Sequence, residues 1–200
     1  MRTRVLVAAF AVALALMRTP AYAVGIPAIP DGLRWGESSR ALLELLGKRA
    51  SVLPRPIDFG DSYVNVVMRN IALGGVPLTA FFQMDKATGG LKRVQFERTR
   101  HGVNPPAYRA VVAALNAAYG PSDAACVIPA DPASGYQAAT ELVWLHDGLI
   151  VRAIFRDTTI AALESCLWLG APPCGLTGQM LVRFAPRAEE RPGCPIPDRS

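Results

Sequence analysis

Residues 104–121, NPPAYRAVVAALNAAYGP, predict a helix whose two ends are both marked in the sequence. Asn104 is a favoured N-cap, because its side-chain oxygen accepts hydrogen bonds from the free N–H groups of the first turn. Pro105 suits the first helical position, where no backbone N–H is needed. Gly120 can adopt the left-handed conformation that ends a helix, and Pro121 prevents its continuation. We therefore expect a helix from Pro105 to Tyr119.

Apolar side chains recur along this segment with the 3.6-residue period of an amphipathic helix. They are Tyr108, Val111, Val112, Leu115 and Tyr119. The simplest interpretation of such a stripe is packing against a core. A groove for a cofactor or a partner is the alternative.

Strand-like sequence lies on both sides of this helix, and a shorter helix signal precedes the first block. The shorter helix would begin after the N-cap Ser38 and end at Gly47. Alternating apolar residues and turn signals predict strands at residues 62–71, 76–84, 91–99, 140–146, 149–157 and 178–184. Prolines and glycines make residues 48–59 and 122–139 irregular in this interpretation. The predicted fold class is α+β, with two α-β-β-β units (residues 24–103 and 104–185) whose helices pack on one face of an antiparallel sheet.

The first 23 residues have the composition of an export signal. A basic start is followed by an uncharged apolar run, and Ala21-Tyr22-Ala23 has the small-x-small pattern of a signal-peptidase site. The apolar run of 13 residues is too short, at about 20 Å, for a bilayer core of about 30 Å. We expect cleavage near Ala23 and a periplasmic or secreted product with no membrane span. An uncleaved anchor is the alternative.

Net charge gives little support for a nucleic-acid partner. The whole chain carries a formal charge of +5, with 21 basic and 16 acidic residues. Removing the three arginines of the predicted signal leaves 18 basic residues against 16 acidic ones, a charge of +2. A charge of this size does not form the dense basic surface of a DNA-binding protein. The proline-rich and charged residues 186–200 are expected to form a tail.

The four cysteines all follow the predicted signal, and an even number in an exported chain indicates two disulfides. Three pairings are possible, and we expect Cys166–Cys174 and Cys126–Cys194. The first would close a short proline-containing loop, and the second would hold the tail against the loop after the central helix. A zinc site or a redox role is the alternative, but no CxxC pair is present. We expect no metal and no cofactor.

Catalytic signatures are absent from the sequence. No phosphate-binding loop, dinucleotide fingerprint, HExxH or nucleophile elbow is found. His101 follows a predicted strand and His146 precedes an Asp-Gly turn, so both are expected to be surface residues. A hydrolase that uses one of these histidines is the alternative function, because catalytic triads are assembled by the fold.

A group of basic residues provides the one binding hypothesis. The candidate binding residues are Arg69, Lys92, Arg93 and Arg98, with Arg100 and Arg109 nearby in the sequence. In a meander of strands, Arg69 and Arg93 would share the solvent-facing side of the sheet. Such a face would attract a lipid head group or an acidic protein. A solvated sheet face that discourages edge aggregation is the alternative.

The segment 32–47, GLRWGESSRALLELLG, resembles the opening of small exported bacterial modules. Outer-membrane assembly lipoproteins and β-lactamase-inhibitor proteins share such a Trp-Gly-x-Ser entry into a short helix that stops at Leu-Gly. The likeness covers residues 32–99 and, more loosely, 105–184. Val24 replaces the cysteine that would carry a lipid anchor. The resemblance implies a non-catalytic interaction module that binds a protein or an anionic envelope component, with no catalytic residues to transfer.

Overall fold

The computed structural model describes residues 26–98, 104–129, 139–156, 180–189 and 193–196. Two helices and eight strands lie in these ranges. The helices are α1 (Ser39–Leu46) and α2 (Pro105–Tyr119), and the strands are β1 (Ala50–Asp58), β2 (Ser62–Leu73), β3 (Val76–Asp85), β4 (Leu91–Glu97), β5 (Ala124–Ile128), β6 (Ala139–His146), β7 (Leu149–Arg156) and β8 (Met180–Pro186). A 3₁₀ turn, Gly47–Arg49, joins α1 to β1.

All eight strands belong to one antiparallel sheet with the order β1-β2-β3-β4-β8-β7-β6-β5. The first four strands form a meander, and the last four run back towards it. The two runs meet where β4 pairs with β8, with Val94 opposite Phe184 and Phe96 opposite Val182. The Phe96 and Phe184 rings lie 5.0 Å apart between centroids, so apolar contacts cross this junction.

The prediction of two α-β-β-β units whose helices pack on one face of an antiparallel sheet is therefore wrong. One continuous sheet replaces the two units, because the edge of β4 is hydrogen-bonded to β8 rather than left at a boundary. The helices are two short elements beside this large sheet. Leu42 and Leu46 of α1 and Val111 and Leu115 of α2 are buried in the same apolar cluster as β2, β3, β4, β6, β7 and β8.

The segment predicted to be irregular at residues 48–59 contains β1, which pairs with β2 and is an edge strand among the described strands. Pro54 and Pro56 lack a donor, but an edge strand has one side without ladder bonds and tolerates proline there. The pairing with β2 shifts between Val52 and Ile57, around the two prolines. Proline thus marks a protected sheet edge here rather than a loop.

The second segment predicted to be irregular contains β5, the other edge of the sheet. Cys126 of β5 forms a disulfide with Cys194, as predicted, with 5.6 Å between the two Cα atoms. The bond joins residues that are 68 apart and holds the segment 193–196 beside β5 and β6. The predicted Cys166–Cys174 bridge lies outside the described residues.

Both helix starts are confirmed. The Asn104 side chain accepts from Ala107 N at 3.0 Å, and Ser38 Oγ accepts from Ala41 N at 3.3 Å. The predicted Gly-Gly turn joins β2 to β3, with φ of 60° at Gly74 and 74° at Gly75. Positive φ at both central residues is the mark of the tight turn that suits the twist of a hairpin.

Candidate functional site

A surface cleft of about 590 Å³ lies beside the 3₁₀ turn, β1 and the far end of β2. Its polar lining consists of Lys48, Arg49, Ser51, Arg69 and Asn70. Ala28, Met68, Ile71 and Ala72 complete the wall. We refer to it as the basic cleft.

A bulge in β2 shapes one wall of the basic cleft. Met68 pairs with Ala80 and Ile71 pairs with Leu78, so three steps along β2 match two steps along β3. The extra residue allows Arg69 and Asn70 to be exposed at consecutive positions, whereas a regular strand would send them to opposite faces. Asn70 has a φ of 57°, a conformation that asparagine tolerates better than most residues.

The charged residues that line the basic cleft are all positive. Lys48, Arg49 and Arg69 are all exposed, and its lining contains no aspartate or glutamate. Within the described part of the chain, none of these three cations is in an ion pair or a side-chain hydrogen bond. Three positive charges without local compensation attract an anion, most strongly at low ionic strength.

Two other predicted binding residues, Lys92 and Arg93, already have carboxylate partners. Lys92 Nζ lies 3.2 Å from Asp61 Oδ2 and 3.0 Å from Asp85 Oδ2. Arg93 forms an ion pair with Asp61 and donates to Ser62 Oγ at 3.3 Å. These contacts neutralise both cations at the end of the β3–β4 hairpin, so they contribute little net positive charge to the surface.

The pKa shifts follow the same contacts. Hydrogen bonds from Lys92 and from the backbone N–H groups of Thr88 and Ala87 lower the pKa of Asp85 to about 2. Burial raises the pKa of Asp61, but the hydrogen bond from Lys92 and the charge of Arg93 reverse this and leave it below its usual value. The pKa of Lys92 is raised, chiefly by its hydrogen bonds to Asp85 and Asp61.

The sheet register separates Arg69 from Arg93. Arg93 is level with Gln83 on β3 and with Val64 on β2, whereas Arg69 lies five residues further along β2, roughly 16 Å at 3.3 Å per residue. Arg98 follows β4 and donates its backbone N–H to Met180 O at 3.5 Å. The structure thus places Arg69 with Lys48 and Arg49, not with the basic residues that follow β3.

Sequence reasoning missed Lys48 and Arg49. The two residues directly follow the C-cap Gly47. Two adjacent cations at the end of a helix are the only sequence signal that could have indicated a basic site here. Arg69 lies about 20 positions away in the sequence. Only the pairing of β1 with β2 brings the three together, and the prolines of β1 concealed that strand.

A second cluster of polar side chains extends across β4, β8, β7 and β6. Arg183 lies directly opposite Arg152 and donates to Gln95 Oε1 at 2.8 Å. Glu141 is fully buried, accepts from Arg152 through Oε1 and accepts from the backbone N–H of Gly193 at 2.9 Å through Oε2. Like charges in register are unfavourable, and Gln95 and Glu141 offset that cost. The sequence could not reveal this group, since it depends on β8 pairing with both β4 and β7.

The described histidine does not have a buried catalytic environment. His146 Nε2 lies 3.3 Å from Asp147 Oδ2, but the two side chains are 50% and 90% exposed. The His146 ring packs against Tyr119, with 5.5 Å between centroids. Neither the basic cleft nor a smaller cleft of about 200 Å³ beside Trp35 and Lys92 is lined by His146. His101 and Arg100 lie outside the described residues.

A comparison of the chain with protein-family models, curated proteins and solved structures finds no match in any of the three. In the described ranges, no helix has the length and apolar character needed to cross a membrane.

Proposed function

We propose that this chain is an exported, non-catalytic interaction module that binds an anionic component of the cell envelope through the basic cleft. The observation that carries the proposal is the set of three exposed cations, Lys48, Arg49 and Arg69, in a cleft whose lining has no acidic residue. The ligand we favour is the phosphate head group of an anionic lipid.

The surroundings of the basic cleft suit a lipid surface. Val52 directly follows the lining residue Ser51 and is 60% exposed, although it is a large aliphatic residue. An exposed aliphatic side chain beside three cations would contact the acyl chains while the cations contact the head groups. The chain would then act at a membrane surface without crossing it.

Export is supported by the cysteines and by the N-terminal sequence. The Cys126–Cys194 disulfide belongs to an oxidising compartment such as the periplasm or the extracellular space. The basic, apolar and small-residue order of residues 1–23 points to the same destination. A periplasmic or secreted location, with cleavage near Ala23, is part of the proposal.

Vesicle binding tests the proposed ligand. The cleft variant carries Lys48→Gln, Arg49→Gln and Arg69→Gln, and its sedimentation with phosphatidylcholine vesicles is compared with and without phosphatidylglycerol. Each cation near an anionic surface contributes about 1 kcal/mol, so loss of all three should weaken binding by a factor on the order of 100.

A matched control removes three cations elsewhere. Arg34, Arg109 and Arg187 are exposed and lie outside the lining of the basic cleft. Their replacement by glutamine lowers the net charge equally and should leave most of the binding intact. Equal losses in the two variants, or no binding of the parent chain to anionic vesicles, would overturn the proposed ligand.

Crosslinking in an envelope extract separates the remaining interpretations. Capture of one acidic protein, lost in the cleft variant, would replace the lipid head group by a protein partner. A hydrolase that uses His101 or His146 is the second candidate function. The structural observation that favours it is the contact between His146 and Asp147, whose side chains are both exposed. Because that pair is screened by solvent, we favour the binding module.

A further inference from the structure

The disulfide of this protein lies beside a buried carboxylate. One ligand atom from each of Cys126, Cys194 and Glu141 lies within 4.8 Å of the other two. Cys194 Sγ is also 3.4 Å from the main-chain oxygen of Glu141. Cleavage of the S–S bond would therefore leave two thiols and one carboxylate already gathered at one place.

We infer that the reduced chain binds a divalent cation of the zinc class through Cys126, Cys194 and Glu141. Thiolate sulfur and carboxylate oxygen are both ligands of tetrahedral zinc, and water can fill the fourth position. Two thiolates favour zinc over magnesium or calcium, which prefer oxygen ligands throughout. The site is distinct from the basic cleft and does not depend on the lipid-binding proposal.

The environment of Glu141 fits the role of a ligand. Its carboxylate is held by Arg152 on one oxygen and by the backbone N–H of Gly193 on the other. A carboxylate offers about four acceptor positions, so each oxygen keeps a lone pair for a metal. Ligating carboxylates in metal sites are themselves held by such outer hydrogen bonds, which fix their orientation.

The redox step balances with a dithiol reductant. The reductant loses two electrons and forms its own disulfide, while the Cys126–Cys194 bond takes up two electrons and two protons. The cation then displaces the two thiol protons, because only thiolates coordinate it. Since the disulfide belongs to an oxidising compartment, the metal-binding form would exist only where thiols are kept reduced.

Cobalt(II) serves as the spectroscopic probe. The full-length chain with Cys166→Ser and Cys174→Ser contains only the two proposed thiols. After reduction by a dithiol and anaerobic removal of the reductant, we expect one cobalt(II) per chain, with a thiolate-to-cobalt absorption band that added zinc abolishes. The oxidised form of the same variant should give no band.

Two further variants identify the third ligand. Glu141→Gln in the same background should weaken cobalt(II) binding by about tenfold or more, since even outer-shell changes cost 10 to 100-fold. Glu97→Gln on β4 is the control, because it makes the same chemical change outside the site, and it should bind cobalt(II) as the parent does. Equal binding by the Glu141 and Glu97 variants would remove Glu141 from the site.

The fold of the reduced form is measured in the same samples. Near-ultraviolet circular dichroism reports the packing of the aromatic side chains, among them the buried Trp144. A band that appears while this signal is retained supports the site. No band in the reduced Cys166→Ser, Cys174→Ser chain, or a band seen only after the near-ultraviolet dichroism signal is lost, would overturn it.

Discussion

The turn between β2 and β3 should be sensitive to a single methyl group at one glycine and tolerant at the next. Gly74 and Gly75 both have positive φ, at 60° and 74°. A Cβ on Gly74 would overlap the main-chain oxygen of Ala110 and lie 2.7 Å from its carbonyl carbon. A Cβ on Gly75 would meet no atom within 4 Å. The two glycines thus share a backbone conformation but differ in their contact with α2.

The expected magnitudes differ accordingly. An alanine in the left-handed conformation costs about 1 to 2 kcal/mol, and loss of glycine's freedom in the unfolded chain returns about 0.4 to 1 kcal/mol. Gly75→Ala should therefore destabilise the protein by about 1 kcal/mol. Gly74→Ala must also displace α2, and such overpacking costs about 1 to 3 kcal/mol more. Its total should be about 2 to 4 kcal/mol.

Urea unfolding of both variants, followed by tryptophan fluorescence, measures the difference directly. The positive-φ cost is common to the two variants, so the excess for Gly74→Ala reports the contact between the hairpin turn and α2. Equal destabilisation of the two variants would refute the reasoning, because it would mean that α2 does not lie against this turn.

The remaining predictions concern the disulfide and the charged hairpin end. Replacing Cys126 and Cys194 by alanine should lower the free energy of unfolding by about 4 kcal/mol, the loop-closure estimate for a separation of 68 residues. This corresponds to a decrease of roughly 8 to 16 °C in Tm. A loss below about 1 kcal/mol would contradict a stabilising role of this disulfide. Asp85→Asn should destabilise the protein at neutral pH. Because the folded pKa of Asp85 is about 2, its contribution is present above the unfolded value near 3.9 and is lost as pH falls through 2. The Tm difference from wild type should thus shrink between pH 4 and 2, and a difference that stays constant over this range would contradict the reasoning.

Local signals in the sequence were sufficient for the helices and the tight turns. The N-cap of α2 at Asn104 and the turn at Gly74 depend on a few neighbouring residues, whose conformations are set by local sterics and hydrogen bonds. The pairing of Cys126 with Cys194 was also predicted, from the compartment and from the position of the tail. The helix caps and the tight turn need no information from distant parts of the chain, whereas the disulfide joins residues that are 68 apart.

The overall architecture could not be obtained in the same way. Pro54 and Pro56 argue against a strand unless the strand is known to lie at an edge, and that position is a property of the whole sheet. The pairing of β4 with β8 joins residues almost 90 positions apart, such as Gln95 and Arg183. Nothing in either strand alone specifies its neighbour, so the sequence by itself predicts two separate units.

The sequence alone also does not show which cations of the candidate site are paired with carboxylates. Arg69 and Arg93 have identical side chains in similar strand sequences, yet one lies in a cleft without carboxylates and the other is bound to Asp61, which is 32 residues away. A cation attracts an external anion only to the extent that its own fold leaves it uncompensated. The strand register decides which cations are compensated, and it separates the basic cleft at Lys48, Arg49 and Arg69 from the cluster at Lys92 and Arg93, whose charges are balanced by Asp61 and Asp85.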